Sequence, residues 1–228
     1  MNIVEYLKSK PVVDIATVKK RLKCSSKYAS LVLQRLLKRK ILQRVTRNKY
    51  TTSSNPYLIA TNLYPPSYLS LWSASQYLGF TKQILNTIQV VTTSRRQKIR
   101  FEHYTFKFIP LPKSSFFGFS KVPTEEGEIF VAEPEKLIID ALLRPHEMGN
   151  LDEIIKIIQL AEIDHQKIVA FLRKAGNRSL HKRIGYLLKT HRNIDLFPEL
   201  SITDKNYVKL YPLTKKTHKN EPRWRIKQ

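Results

Sequence analysis

Two groups of residues in this sequence are of types that could do chemistry. The first is polar and cationic: Ser25, Ser26, Lys27, Tyr28, Ser30, Gln34 and Arg35, followed by Arg44, Arg47 and Lys49. Lys and Arg neutralise phosphates, small hydroxyl residues allow close approach, and glutamine can hydrogen-bond a base edge. The second is Glu133, Glu135, Lys136 and Asp140. Three carboxylates beside an amine could hold a divalent metal for a nuclease or nucleotidyl-transfer reaction. The same residues around Pro134 also suit a helix start, where acidic side chains meet the positive end of the macrodipole, and that reading is preferred.

Charge separates the two groups. The chain has 228 residues, with 41 Lys and Arg against 18 Asp and Glu, a net charge of +23. Residues 1–50 hold 14 basic and 2 acidic side chains, residues 51–200 hold 19 and 14, and residues 201–228 hold 8 and 2. Over half of the excess therefore sits in the first fifty residues. A field of this sign attracts polyanions, which puts nucleic acid or an anionic membrane surface first among partners.

Several classes are disfavoured. A single cysteine, Cys24, excludes a disulfide framework and an all-cysteine zinc site. The six glycines show no phosphate-loop or dinucleotide spacing, and no Asp-x-Asp pair is present. His103, His146, His165, His181, His191 and His218 lack ligand spacing. No enzyme activity, metal or cofactor is expected. The N-terminus lacks the apolar segment of a secretory signal and no run of 18 apolar residues occurs, so a cytoplasmic protein without membrane attachment is expected.

The elements that must carry the cationic group follow from periodicity. Ile3, Val4 and Leu7 predict a short helix ended by Pro11; Asp14 predicts the cap of a second, with Val18 and Leu22 inward. Ser25 or Ser26 predicts the cap of a third helix reaching about Lys40, with Ala29, Val32, Leu33, Leu36 and Leu37 as its apolar stripe. Cys24 falls in the turn before it, as a small buried apolar residue. The period then changes: 41–45 and 50–52 read as strands around a Thr46–Lys49 turn. Three helices and a basic hairpin are the layout of a winged helix-turn-helix, whose third helix enters the major groove. Ser25, Ser26, Lys27, Tyr28, Ser30, Gln34 and Arg35 then face bases and phosphates, while Arg44, Arg47 and Lys49 reach the backbone or the minor groove. Lys19, Lys20, Arg21 and Lys23 add charge to the second helix and the turn.

Asn55-Pro56 predicts a linker near 52–56, a strand at 57–60, and a helix entered through Pro65-Pro66 and running to Gly79. Strands are predicted at 88–93, 104–109, 116–122 and 128–132, with Arg95 and Arg96 at the exit of the first. A helix opens at Glu133–Lys136. Beyond Leu151 three apolar stripes predict three helices: Leu151, Ile154, Ile155 and Ile158; then Ile168, Phe171 and Leu172 capped by Asp164; then Leu180, Ile184, Leu187 and Leu188 capped by Asn177 or Ser179. The fold class is α+β: a winged helix-turn-helix over 1–52, an α+β domain over 57–200 with a mixed or antiparallel sheet and a C-terminal helical portion collected on one side, and a basic tail over 201–228. The tail (Lys205, Lys209, Lys215, Lys216, Lys219, Arg223, Arg225 and Lys227, with Tyr207, Tyr211 and Trp224) has two readings. It is either a second nucleic-acid contact or a terminus whose aromatic residues pack on the body.

The segments Leu58-Ile59-Ala60, Leu63 to Ala74, Val90-Val91-Thr92-Thr93, Phe116-Phe117-Gly118, Val131 to Lys136 and Arg183 to Leu188 resemble AbiEi-family antitoxins, the antitoxin half of abortive-infection, type IV toxin–antitoxin systems. The resemblance spans about residues 1–190 and leaves out the tail. It implies a winged helix that binds an inverted repeat in its own promoter, on double-stranded DNA, and represses the operon. It also implies a C-terminal domain that opposes a nucleotidyltransferase-like toxin without a stable complex. Where the wing of the family often carries glycine, this chain has Asn48, which also tolerates the left-handed conformation. Two alternatives remain from the residues themselves: an enzyme acting on nucleic acid through the Glu133–Asp140 group, and a protein-interaction adaptor whose cationic module meets an acidic partner.

Overall fold

Each helix of the cationic segment starts at a side chain able to satisfy its first amides. In this computed structural model, which describes residues 2–215 and 219–228, α1 (Ile3–Lys8) has a capping box: Asn2 accepts from the Val4 amide and Glu5 accepts from the Asn2 amide at 2.9 Å. Asp14 caps α2 (Ile15–Leu22), accepting from the Thr17 amide at 2.9 Å and its hydroxyl at 2.8 Å. Ser25 caps α3 (Ser26–Lys38), accepting from the Tyr28 amide at 3.2 Å. The antiparallel strands β1 (Gln43–Thr46) and β2 (Lys49–Thr51) follow. Their turn places Asn48 at φ 57°, and its Oδ1 accepts from the Ile15 amide at 3.1 Å. Leu7, Val13, Val18, Ala29, Leu33, Leu36 and Leu42 form the core of this segment, with Val32, Leu37 and Cys24 half-buried against it. Lys216 and His218 lie outside the described residues.

The chain is α+β and divides into two units, Met1–Leu69 with Leu85–Leu111 and Ser120–Val131, and Ser70–Ile84 with Pro112–Phe119 and Ala132–Gln228. The first unit holds the cationic segment, α4 (Pro56–Leu63) and a mixed sheet. The sheet strands are β3 (Ser67–Leu69), β4 (Thr87–Thr92), β5 (Ile99–Phe101), β6 (Tyr104–Pro110), β7 (Phe119–Thr124) and β8 (Gly127–Ala132), in the order β5-β6-β4-β3-β8-β7. The central β3 runs antiparallel to β4 and parallel to β8, while β4 runs parallel to β6.

Three expectations are corrected here. Residues 57–60 are helix, not strand: the Asn55 side chain accepts from the amides of Tyr57 and Leu58 at 3.1 and 3.2 Å, with Pro56 in the first turn. Leu58, Ile59, Ala60 and Thr61 are all buried, so α4 shows no amphipathic period, and a short all-apolar run reads equally as a strand. Second, no single helix leaves Pro65-Pro66. Ser67, Tyr68 and Leu69 are buried as the central strand β3, and the helix α5 (Leu71–Tyr77) starts after it. Third, the strand expected from Phe116 starts at Phe119, after a 3-10 turn over Lys113–Ser115. The stretch at 52–56 is also no slack tether. Ser53 is buried, its hydroxyl meets Glu126, and it accepts from the Asn55 amide at 3.0 Å. A Cβ on Gly127 (φ 145°) would come within 2.8 Å of Pro11 Cγ, so the β7–β8 turn sits hard against the N-terminal segment.

The second unit holds α5, α6 (Pro134–Leu143), α7 (Pro145–Met148), α8 (Leu151–Leu160), α9 (His165–Ala175), α10 (Arg178–Arg192) and α11 (Phe197–Leu200). Asn150, Asp164 and Asn177 cap α8, α9 and α10. The stripes Ile154/Ile158, Ile168/Leu172 and Leu180/Ile184/Leu187/Leu188 are buried as expected, while Leu151, Ile155 and Phe171 are half-buried. The C-terminal segment forms a small sheet of β9 (Val208–Lys209), β10 (Asn220–Glu221) and β11 (Ile226–Lys227), in the order β10-β11-β9. Two of its three aromatic residues, Tyr211 and Trp224, pack on the body. Trp224 is 2% exposed, Tyr211 is buried with its Oη 2.9 Å from the Gly149 carbonyl, and the buried Lys182 amine donates to Asp204 and to the Asn206 carbonyl. Lys205, Lys209, Lys215, Lys219, Arg223 and Lys227 remain exposed.

Candidate nucleic-acid interface

The period of α3 decides which side chains face outward. Ala29, Leu33 and Leu36 point into the core, which leaves Ser26, Lys27, Tyr28, Leu31, Gln34, Arg35 and Lys38 exposed and Ser30 half-exposed. Ser25, Lys27, Tyr28, Ser30, Leu31 and Gln34 line an open depression of about 540 Å³. The structure thus brings six of the ten sequence-selected residues onto or beside this helix face with a donor or acceptor available, namely Ser26, Lys27, Tyr28, Ser30, Gln34 and Arg35. Arg44 and Arg47 are exposed on the hairpin.

Three of the ten are engaged elsewhere, and one of these is Arg44, whose Nε donates to the Thr46 carbonyl at 3.4 Å. The Ser25 hydroxyl is the cap of α3. Lys49 Nζ lies 3.2 Å from Asp14 Oδ2, with 28% of its side chain exposed. Burial alone would raise the Asp14 carboxyl pKa. The Thr17 amide and hydroxyl and the Lys49 amine outweigh it and hold the group below its ordinary range. Asp14 is therefore ionised and largely compensates Lys49. That pairing joins positions 35 apart in sequence and leaves no local signal. Leu31 falls outside the 29/32/33/36/37 stripe, so the same periodicity puts it on the polar face.

The carboxylates of the second group do not converge. Asp140 is fully buried and accepts from the buried Lys136 amine and, at 2.8 Å, from the Ser70 hydroxyl. Glu135 is turned away from its own helix: its Oε1 accepts from the Asp164 amide at 2.8 Å, at the start of α9. Glu133 makes no side-chain cap on α6 and lies 3.4 Å from Lys167 on α9, whose pKa it raises. The helix-start reading holds, since α6 begins at Pro134 with Glu133 at its N-cap position and Glu135 in its first turn, while both side chains also reach α9. The Lys136 amine also stands 4.8 Å from the centre of the Phe117 ring. Among the described residues, no three His, Cys, Asp or Glu side chains are grouped to hold a metal ion. His165 faces Glu199 at 3.0 Å, and His181 lies 2.9 Å from the Leu172 carbonyl. No helix of the described residues is long and apolar enough to cross a membrane.

The stretch from β3 to α10 is an antitoxin domain. A family model described as the AbiEi antitoxin C-terminal domain matches residues 68–190. That is more than half of the chain, and the chain belongs to the AbiEi antitoxin family. Membership supports a role in a toxin–antitoxin system. None of the curated proteins matches this chain.

Proposed function

We propose that this protein is the antitoxin of a type IV toxin–antitoxin system and represses its own operon, acting without enzymatic turnover in the cytoplasm. In this reading residues 1–52 work as a winged helix-turn-helix on double-stranded DNA. The outward face of α3 enters the major groove of an inverted repeat, and Arg44 and Arg47 meet the sugar-phosphate backbone. The antitoxin domain opposes a nucleotidyltransferase-like toxin without needing a stable complex with it. The carrying observation is the exposed row Lys27, Gln34, Arg35 and Lys38 on a helix within a segment of 14 basic and 2 acidic residues. A surface of this charge neutralises phosphates whatever the sequence, and polar groups on a helix can read base edges.

The test is titration of the full chain on duplex DNA from upstream of its gene, at several salt concentrations. Log affinity should fall with log salt at about −0.9 per phosphate contacted. The pair of substitutions Lys27→Ala and Arg47→Ala should weaken binding about tenfold or more and flatten that slope by about two. A slope near zero, or unchanged binding by the double variant, removes the assignment. The domain's separate role is read in cells, by survival when the neighbouring toxin gene is induced with and without residues 68–190 intact.

A further inference from the structure

One feature of the α3 face is not explained by phosphate binding. Leu31 is 41% exposed and Tyr28 is 49% exposed, in the middle of a cationic row. A single exposed leucine is ordinary on a protein surface. This one shares the wall of a depression with Lys27, Ser30 and Gln34, on the outward side of a helix whose inward side already has a full apolar stripe. Its own segment therefore does not need it for packing. A complementary occupant must carry negative charge at its rim and apolar groups at its floor.

The major groove of a thymine-containing duplex has that form, with phosphates along both edges and C5-methyl groups on the floor. An acidic protein surface could match the charge, but it offers no reason for glutamine beside leucine. Gln34 stands one turn from Leu31. A glutamine amide can pair with N6 and N7 of adenine while the neighbouring apolar side chain covers the methyl of a thymine in the same or the next step.

We infer that Leu31, with Tyr28, is a specificity-determining contact that reads thymine methyl groups, and that the operator half-site carries A·T steps under the middle of α3. This rests on the DNA-binding reading above. Leu31 supplies shape and apolar area only; Lys27, Arg35 and the hairpin arginines hold the duplex.

The experiment uses the full chain. Duplexes are enriched from a random library by repeated capture on the protein, and the enriched site is resynthesised with deoxyuridine replacing individual thymines, which removes one methyl each. The wild-type chain should lose affinity about fourfold per contacted methyl. In Leu31→Ala, whose thermal melting is measured alongside, the thymine site should bind more weakly and the thymine-over-uracil preference should shrink to near one. If duplexes are enriched but wild type binds thymine and uracil sites equally, or if Leu31→Ala keeps the full preference, the inference is overturned and DNA binding stands. If no duplex is enriched and none is retained, the DNA-binding reading falls and takes this inference with it.

Discussion

Gly185 has no side chain, and the structure shows what that allows. A Cβ added there would lie 2.0 Å from Trp224 Cζ3 and 2.3 Å from Cη2. Carbon atoms in contact prefer about 3.5–4 Å, so in Gly185→Ala the ring must move by about 1.5–2 Å or leave. It has little room to slide, since it is 2% exposed and stands edge-on to Phe197 at 5.1 Å between ring centres. The α10 backbone cannot easily retreat either, because Lys182, Ile184, Leu187 and Leu188 on either side are buried. Alanine improves helix propensity by about 1 kcal/mol. Expelling a tryptophan forfeits about 150–250 Å² of burial, about 4–6 kcal/mol at 25 cal/mol per Å². The expected net loss is about 3–5 kcal/mol, and it falls on the docking of the strand pair around Trp224. The assay is fluorescence in a Trp72→Phe background, where Trp224 is the single tryptophan. Gly185→Ala should shift its emission to the red and expose the C-terminal segment to protease, while helical circular dichroism changes little. Unchanged emission together with a raised melting temperature would refute the reasoning, since only the propensity gain would then remain.

Two other substitutions probe buried charge. Asp140→Ala removes the carboxylate facing the buried Lys136 amine and should cost about 3–5 kcal/mol by urea unfolding, whereas Asp140→Leu combined with Lys136→Met should recover most of that loss. Equal destabilisation by the single and the double variant would show that the loss does not come from an uncompensated Lys136 charge. Asp204 is held below its ordinary value of 3.8, chiefly by the hydrogen bond from Lys182. A carboxyl with a lowered folded pKa stabilises the protein above its ordinary value and loses that contribution as pH falls through the folded one. Asp204→Asn should therefore melt well below wild type at pH 6, with the gap closing below about pH 4; a gap independent of pH would contradict the assignment.

Legibility in the sequence followed the range of the interactions. The caps at Asp14, Ser25, Asp164 and Asn177 and the α8–α10 stripes are local patterns, and they fall where the residues predict. The errors at 57–60 and 65–70 centre on Leu58, Ile59 and Ala60 and on Ser67, Tyr68, Leu69 and Ser70, which are all buried, so that α4 and β3 lose the alternation that separates helix from strand. The two-residue strands β9, β10 and β11 exist through pairing alone, as in the parallel contact of Val208 with Ile226, and carry no pattern of their own. The candidate interface was legible as a helix face. The diversion of Lys49 to Asp14 and of Glu135 to the Asp164 amide was not, since each joins residues about thirty positions apart.

The first fifty residues contain only two acids, Glu5 and Asp14, and both are taken up at helix starts. The stretch therefore has almost no internal counter-charge. In a cell extract it should behave as an ion-exchange resin, leaving the lysate wrapped in polynucleotide and releasing it only in concentrated salt. With such a passenger bound, ultraviolet absorbance would overstate the protein and light scattering would overstate its size.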